Sequence, residues 1–326
     1  MSMRVVVWIP VEAYKNAVVP EIRTVPGADV VVAETEAELA DALRSADAMV
    51  SSGASKYTAS VAKLVREAPS LRWFQTVAAG NEGFEANGVP AHIEVTGSGG
   101  HSAPVVAEHA FALLLGIAHC VPHFARSMET HAWDRSFSPR FTSFFQRTAV
   151  VVGLGRIGLE IAKRARAFDM RVIGVSKSGA PKDGVDACVA IADLHSALAE
   201  ADAVILAAPL NAGSQGMFGA SEFAAIKRGA FLVNIARGGL IDQTALRQAL
   251  IDGSLAGAGI DVTVPEPLPA DDPLWDAPNL VISPHTAGGG SNHSPHRLAA
   301  AVRANLEEFI AGRPLRHTLP YGAHAA

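Results

Sequence analysis

The chain has 326 residues, more than the roughly 100 to 200 of a typical single domain, so two compact units are the default expectation. Hydrophobic residues make up 49% and charged residues 18%, which fits a well-buried, ordered protein and excludes a disordered or fibrous one. The formal net charge of −5 speaks against a phosphate-backbone binder, which excludes nucleic acid as the expected partner.

The amino-terminal apolar run at residues 4–9 is too short for a signal peptide and reads as a first strand. Further strands are expected at 28–33, 48–52, 71–77 and 93–96, with helices at 36–44 and 59–67 between them. That alternation predicts a parallel sheet covered by helices. The flexible stretch Gly97-Ser98-Gly99-Gly100 marks a domain boundary, and a long apolar helix is expected over 103–120. Its apolar run from Ala110 to Ala118 is too short to span a bilayer, so no membrane role is expected.

Residues 133–146 read as an irregular packed connector. A second alternating block then begins at 148–153 and continues through strands at 171–175, 203–208, 231–235, 257–262 and 280–283. Short apolar runs without polar alternation suit strands buried on both faces. After the glycine-rich segment 288–292 a helix over 295–311 and a polar tail are expected. Cys120 and Cys188 are the only cysteines, and each adjoins apolar residues. This excludes a disulfide framework, suits small core hydrophobes and makes a reducing cytoplasm the expected location.

Gly153, Gly155 and Gly158 follow a strand and open a helical run over 156–168, the context that gives a glycine triplet meaning as a dinucleotide-binding turn. The first allows the tight turn, the second a close approach of a pyrophosphate, and the third close packing of helix on strand. The helix amino terminus adds amide donors and a positive dipole end. An acid about twenty residues on would hold the ribose of NAD. Here the strand ends in Ser176, Lys177 and Ser178, with no carboxylate, while Asp169 precedes the strand. Hydroxyls and a cation suit a 2′-phosphate, so NADP(H) is the preferred cofactor and NAD(H) a possible one.

Downstream lie Arg237, Glu266 and His285, in the contexts Asn234-Ile-Ala-Arg-Gly-Gly239, Pro265-Glu-Pro267 and Ser283-Pro-His-Thr-Ala287. An arginine fork at the carboxyl end of a strand suits a carboxylate or carbonyl oxygen. An imidazole can give a proton to a forming alkoxide, and a carboxylate on its other nitrogen keeps that acid loaded. Each residue alone could be a solvated loop side chain; their order behind the glycine turn points to hydride transfer. In Val77-Ala-Ala-Gly80, small residues at Ala79 and Gly80 would let backbone amides reach a substrate carboxylate. His293, His296 and Arg297 read as a polar loop and helix start; with no cysteine or acid to complete a ligand set, no metal site is expected.

With these motifs the chain resembles the D-isomer-specific 2-hydroxyacid dehydrogenases from about residue 71 to residue 285, and its loop 261–275 is similar to the glyoxylate/hydroxypyruvate reductase branch. The resemblance implies an α/β protein of two Rossmann/flavodoxin-like domains with parallel sheets and the active site in the interdomain cleft. Residues 1–100 and 288–326 would form a discontinuous substrate-binding domain, and 101–287 the dinucleotide-binding Rossmann domain. Arg156 and Ile157 would sit over the pyrophosphate, Pro209 beside the adenosine and Asp261 before the nicotinamide carboxamide. The residues between the two blocks would form arms of a homodimer. Val264 departs from the family, where an acidic or polar residue is frequent. The implied activity is reduction of a small 2-oxo acid to the D-2-hydroxy acid. NAD-dependent oxidation of a D-2-hydroxy acid such as phosphoglycerate stays open, although no carboxyl-terminal regulatory domain follows and the ribose-binding acid is missing. A nucleotide-sensing binding protein also stays open.

Overall fold

A computed structural model describes residues 2–54, 56–289 and 293–325. The chain divides into two compact units, Met1–Ser102 with Ser291–Ala326, and Ala103–Gly290. Of the glycine-rich stretch 288–292, residues 290–292 lie outside the described residues.

In chain order the first unit holds β1 (Met3–Trp8), α1 (Glu12–Arg23), β2 (Ala28–Val32), α2 (Glu36–Leu43), β3 (Ala48–Ser51), α3 (Ala59–Glu67), β4 (Trp73–Thr76), α4 (Glu82–Asn87) and β5 (Glu94–Thr96). The second unit holds α5 (Ala103–Ala118), α6 (Val121–Glu129), β6 (Thr148–Val152), α7 (Arg156–Ala167), β7 (Arg171–Ser176), β8 (Ala187–Ala190), α8 (Leu194–Leu198), β9 (Ala203–Leu206), α9 (Ala220–Ala225), β10 (Ala230–Asn234), α10 (Gln243–Ile251), β11 (Leu255–Ile260) and β12 (Leu280–Ile282). The chain then returns to the first unit with α11 (His293–Ile310) and β13 (Thr318–Gly322). Among the described residues no single helix is long and apolar enough to cross a membrane.

The first unit is a six-stranded sheet in the order β13-β5-β4-β3-β1-β2. Strands β1 to β5 pair in parallel, and β13 runs antiparallel to β5. Helices α2 and α3 start where the sequence provides caps: the Thr35 and Thr58 hydroxyls accept from the amides of Glu38 and Val61 at 3.2 and 3.3 Å. The residues after 316, expected as a polar tail, form β13, whose alternating exposure marks an edge strand. Helix α1 was not among the expected helices, and it carries Pro20, an unfavourable residue in a helix interior. Burial of Val18, Val19 and Ile22 against the sheet and α11 compensates. Each such side chain contributes about 1.5–3 kcal/mol.

The second unit is a seven-stranded sheet in the order β12-β11-β10-β9-β6-β7-β8, with every pair parallel. Its central strands β9 and β10 are wholly buried, as continuous apolar runs in a sheet covered on both faces should be. Strand order reverses between β6 and β9, the crevice where open α/β sheets hold ligands. The long apolar helix ends at Ala118, two residues short of its expected end, because Cys120 takes a left-handed φ of 56° and starts α6 in a new direction. Both cysteines are unpaired, Cys120 buried and Cys188 half-buried. Helix α5 lies close on β11 because Gly257 and Gly259 leave room: a Cβ at 259 would stand 2.8 Å from Leu113 Cβ and 2.9 Å from Ile117 Cδ1.

Candidate active site

The glycine turn follows β6 at the strand-order reversal. Gly153 has φ +99°, and a Cβ there would stand 2.6 Å from the Ala208 amide nitrogen, so the loops after β6 and β9 meet through the missing side chain. A Cβ on Gly158 would run into the Gly153 carbonyl, which is why α7 can start this close to the strand. Gly155 faces open space, with nothing within 4 Å of its would-be Cβ. Among the described residues, no protein acceptor takes the amides of Leu154, Gly155, Ile157 or Gly158. Arg156 is exposed and Ile157 half-buried at the first turn of α7. Unspent amides at a helix amino terminus, in front of open space, fit a pyrophosphate.

Ser176 closes β7 at the same edge of the sheet, with Lys177 and Ser178 exposed beyond it. The Ser176 hydroxyl oxygen accepts from the Gly179 amide at 3.1 Å, and that of Ser178 from Ala180 at 3.3 Å. Each hydroxyl therefore keeps its own proton to donate. Asp169 precedes β7, at the opposite edge of the sheet. Pro209 is exposed after β9, and its carbonyl accepts from the Ser214 hydroxyl at 2.8 Å.

Arg237, Glu266 and His285 follow β10, β11 and β12, three neighbouring strands, at their carboxyl ends. Buried Asn234 shapes the arginine's turn: its amide donates to the Arg237 carbonyl at 2.9 Å and its oxygen accepts from the Ala236 amide at 3.0 Å. The half-buried Arg237 guanidinium donates to the Ala236 carbonyl at 2.7 Å. Gly238 rests on the Thr263 backbone, so close that a Cβ would collide, which joins the arginine's turn to the loop carrying Glu266. The Glu266 carboxylate accepts from the Thr263 amide at 3.1 Å and, with its other oxygen, meets His285 Nδ1 at 2.7 Å. Both side chains are part-exposed, at 49% for His285 and 38% for Glu266. With Nδ1 held by a carboxylate, Nε2 is the nitrogen left to exchange a proton with a ligand.

Asp261, expected before the carboxamide, also has partners within the chain. It is 1% exposed, and its carboxylate accepts from the Ser283 hydroxyl at 2.5 Å and from the amides of Thr286 and Ala287, each at 2.9 Å. It thus holds the segment that carries His285. Sequence reasoning missed this role, together with two further supports. The Gln243 side chain brackets Val264, accepting from its amide at 2.7 Å and donating to its carbonyl at 3.0 Å. His109, on α5, meets the Ser283 hydroxyl at 2.8 Å. Neither Gln243, at the start of a helix, nor a single histidine in an apolar helix carries a local signal of such contacts.

In the first unit, exposed Ala79 and half-buried Gly80 follow β4 at its carboxyl end. Among the described residues no protein acceptor takes either backbone amide. No group of three or more His, Cys, Asp or Glu side chains among the described residues could hold a metal ion.

Comparison with known proteins agrees with this geometry. Residues 111–287 match the family model of the D-isomer specific 2-hydroxyacid dehydrogenase NAD binding domain. The chain is 33% identical to a glycerate dehydrogenase of Methylorubrum extorquens over 78% of its own length and 80% of the relative's. It is 32% identical to a glyoxylate/hydroxypyruvate reductase B of Citrobacter koseri over 86% of each chain. The crystal structure of a D-isomer specific 2-hydroxyacid dehydrogenase family protein from Aeromonas salmonicida superposes with a TM-score of 0.83, covering 98% of this chain and 99% of the other at 28% identity. The chain belongs to the D-isomer-specific 2-hydroxyacid dehydrogenase family and is an NAD(P)-dependent oxidoreductase of small 2-oxo and 2-hydroxy acids.

Proposed function

We propose that the protein reduces a small 2-oxo acid of the glyoxylate or hydroxypyruvate kind to the D-2-hydroxy acid, with NADPH preferred over NADH. The observation that carries this reading is the 2.7 Å pair of His285 Nδ1 and Glu266, set beside Arg237 on three adjacent strand ends. When bound, the reduced dinucleotide supplies a hydride to C2 of the oxo acid. As the carbonyl electrons move onto oxygen, His285 Nε2 gives that oxygen its proton, and Glu266 stabilises the imidazolium beforehand through Nδ1. Arg237 holds the carboxylate and polarises the carbonyl, with the amides of Ala79 and Gly80 as further carboxylate donors.

The turn amides of 154–158, with Arg156 and Ile157, would hold the pyrophosphate, and Pro209 would border the adenosine. Ser176, Lys177 and Ser178 would take the 2′-phosphate, where an acid would repel it. Asp261 would face the nicotinamide carboxamide and at the same time fixes the His285 segment. We further propose a homodimer through residues 121–145, where α6 buries no side chain and Trp133 and Met128 are 92% and 75% exposed. Light scattering at working concentrations tests it; a monomer there refutes it.

The test of function is oxidation of NADPH and, separately, NADH against glyoxylate, hydroxypyruvate, pyruvate and longer 2-oxo acids. Faster turnover of the short acids with NADPH is expected. Equal rates with both cofactors remove the NADP preference. Binding of nucleotide without turnover of any of these acids removes the proposed substrate class, in favour of an untested substrate or the sensor.

A further inference from the structure

We infer that His109 is a positioning residue for the His285–Glu266 proton donor, an inference that rests on the function proposed above. The segment 283–287 is tied to one residue. Asp261 takes the Ser283 hydroxyl and the Thr286 and Ala287 amides on its carboxylate, and its backbone carbonyl accepts from the His285 amide at 2.8 Å. These contacts hold His285 at φ 52°, a left-handed conformation that a non-glycine residue keeps only where its surroundings impose it.

The link between Asp261 and Ser283 depends on which way the serine hydroxyl points. A hydroxyl has one proton, and at 2.5 Å from Asp261 Oδ1 it goes to the carboxylate. His109 Nε2, 2.8 Å from the same hydroxyl oxygen, must then be the donor in either charge state. The same Nε2 lies 3.4 Å from Asp261 Oδ1. A hydrogen bond from a fixed helix to the Ser283 oxygen is a support that the loop cannot supply for itself, and His109 provides it.

The fold fixes His109 there. Leu113 and Ile117, one and two turns further along α5, sit over Gly259 and Gly257 of β11 too closely for the helix to slide. Without the His109 N–H, the Ser283 oxygen loses its tie to α5, and the segment that aims His285 is freed to relax. Such a shift acts on chemistry more than on binding: misplacement of about 1 Å can lower turnover roughly 100-fold.

The test uses His109→Leu, which keeps bulk and removes the donor, and His109→Gln, whose side-chain amide restores one. H109L should lower kcat roughly 10- to 100-fold with NADPH affinity near wild type, and should speed amide exchange in the 283–287 peptide about 10-fold or more. H109Q should recover kcat to within about threefold of wild type, and H109L combined with Ser283→Ala should be no worse than S283A alone. Normal kcat and exchange in H109L, failure of H109Q to recover, or multiplying effects in the double variant would overturn the inference. Should H109L not fold, S283A decides through the same exchange measurement, and unchanged exchange overturns the claim. If the wild type turns over no 2-oxo acid, the functional reading fails while exchange in 283–287 still decides this one.

Discussion

Replacing Gly158 and Gly155 by alanine, one at a time, separates the two jobs of the glycine turn. A Cβ at 158 meets the Gly153 carbonyl, a backbone atom with nowhere to go, so α7 must back away from β6. Overpacking of this kind costs about 1–3 kcal/mol, and withdrawing the helix also withdraws its amides from the phosphates. At 155 the added Cβ has nothing within 4 Å, and φ is −77°, a value alanine adopts freely. Gly155→Ala should change stability by less than about 1 kcal/mol. It should nonetheless weaken dinucleotide binding about 10-fold or more, because the methyl group stands where the pyrophosphate approaches the amides. The assay pairs thermal unfolding without cofactor with NADPH titration by fluorescence. G158A should lose both Tm and affinity, and G155A affinity alone. If G155A binds NADPH as wild type does, or G158A unfolds as wild type does, the reading of this turn is wrong.

Further outcomes follow from other parts of the structure. Ser176→Asp puts a carboxylate at the end of β7 and should lower the NADPH to NADH ratio of kcat/KM about 10-fold or more; an unchanged ratio means this strand end does not select the cofactor. Burial, with a smaller push from Arg297, holds the His101 imidazole down to about 4. The unfolded chain therefore takes up a proton that the folded one refuses, and stability falls as pH drops from about 6.5 towards 4 by roughly 3 kcal/mol. His101→Gln should flatten the Tm slope across that window, and an equally steep slope would contradict the assignment. Gln243→Ala removes both hydrogen bonds that bracket Val264 and should lower kcat about 3- to 10-fold with little change in nucleotide affinity; normal kcat would show that the loop holds itself.

Much of this was legible in the sequence because it depends on buried strands and backbone geometry. The apolar runs at 148–153, 203–208 and 231–235 read as interior strands, and the strands found there end within a residue or two of those bounds; a glycine triplet between a strand and a helix has few other uses. What stayed hidden depends on packing at a distance. Strand β8 is short and half-buried along its length, so its residues carry no strong pattern. Helix α1 survives Pro20 through its buried valines and isoleucine, and β13 exists because β5 offers an edge. The reacting trio stood out by order and context, but the hold of Asp261 on 283–287 showed only in the folded chain. His109 is separated from Ser283 by 174 positions, and only the seating of α5 on β11 brings them together.

The central claim is that His285, held by Glu266, gives the proton that accompanies hydride transfer. The most direct measurement is steady-state reduction of glyoxylate and hydroxypyruvate by wild type and His285→Ala, with NADPH binding measured on the same samples. The account predicts a loss in kcat of roughly 100- to 10,000-fold with dinucleotide affinity retained. Turnover near the wild-type rate in H285A would contradict it.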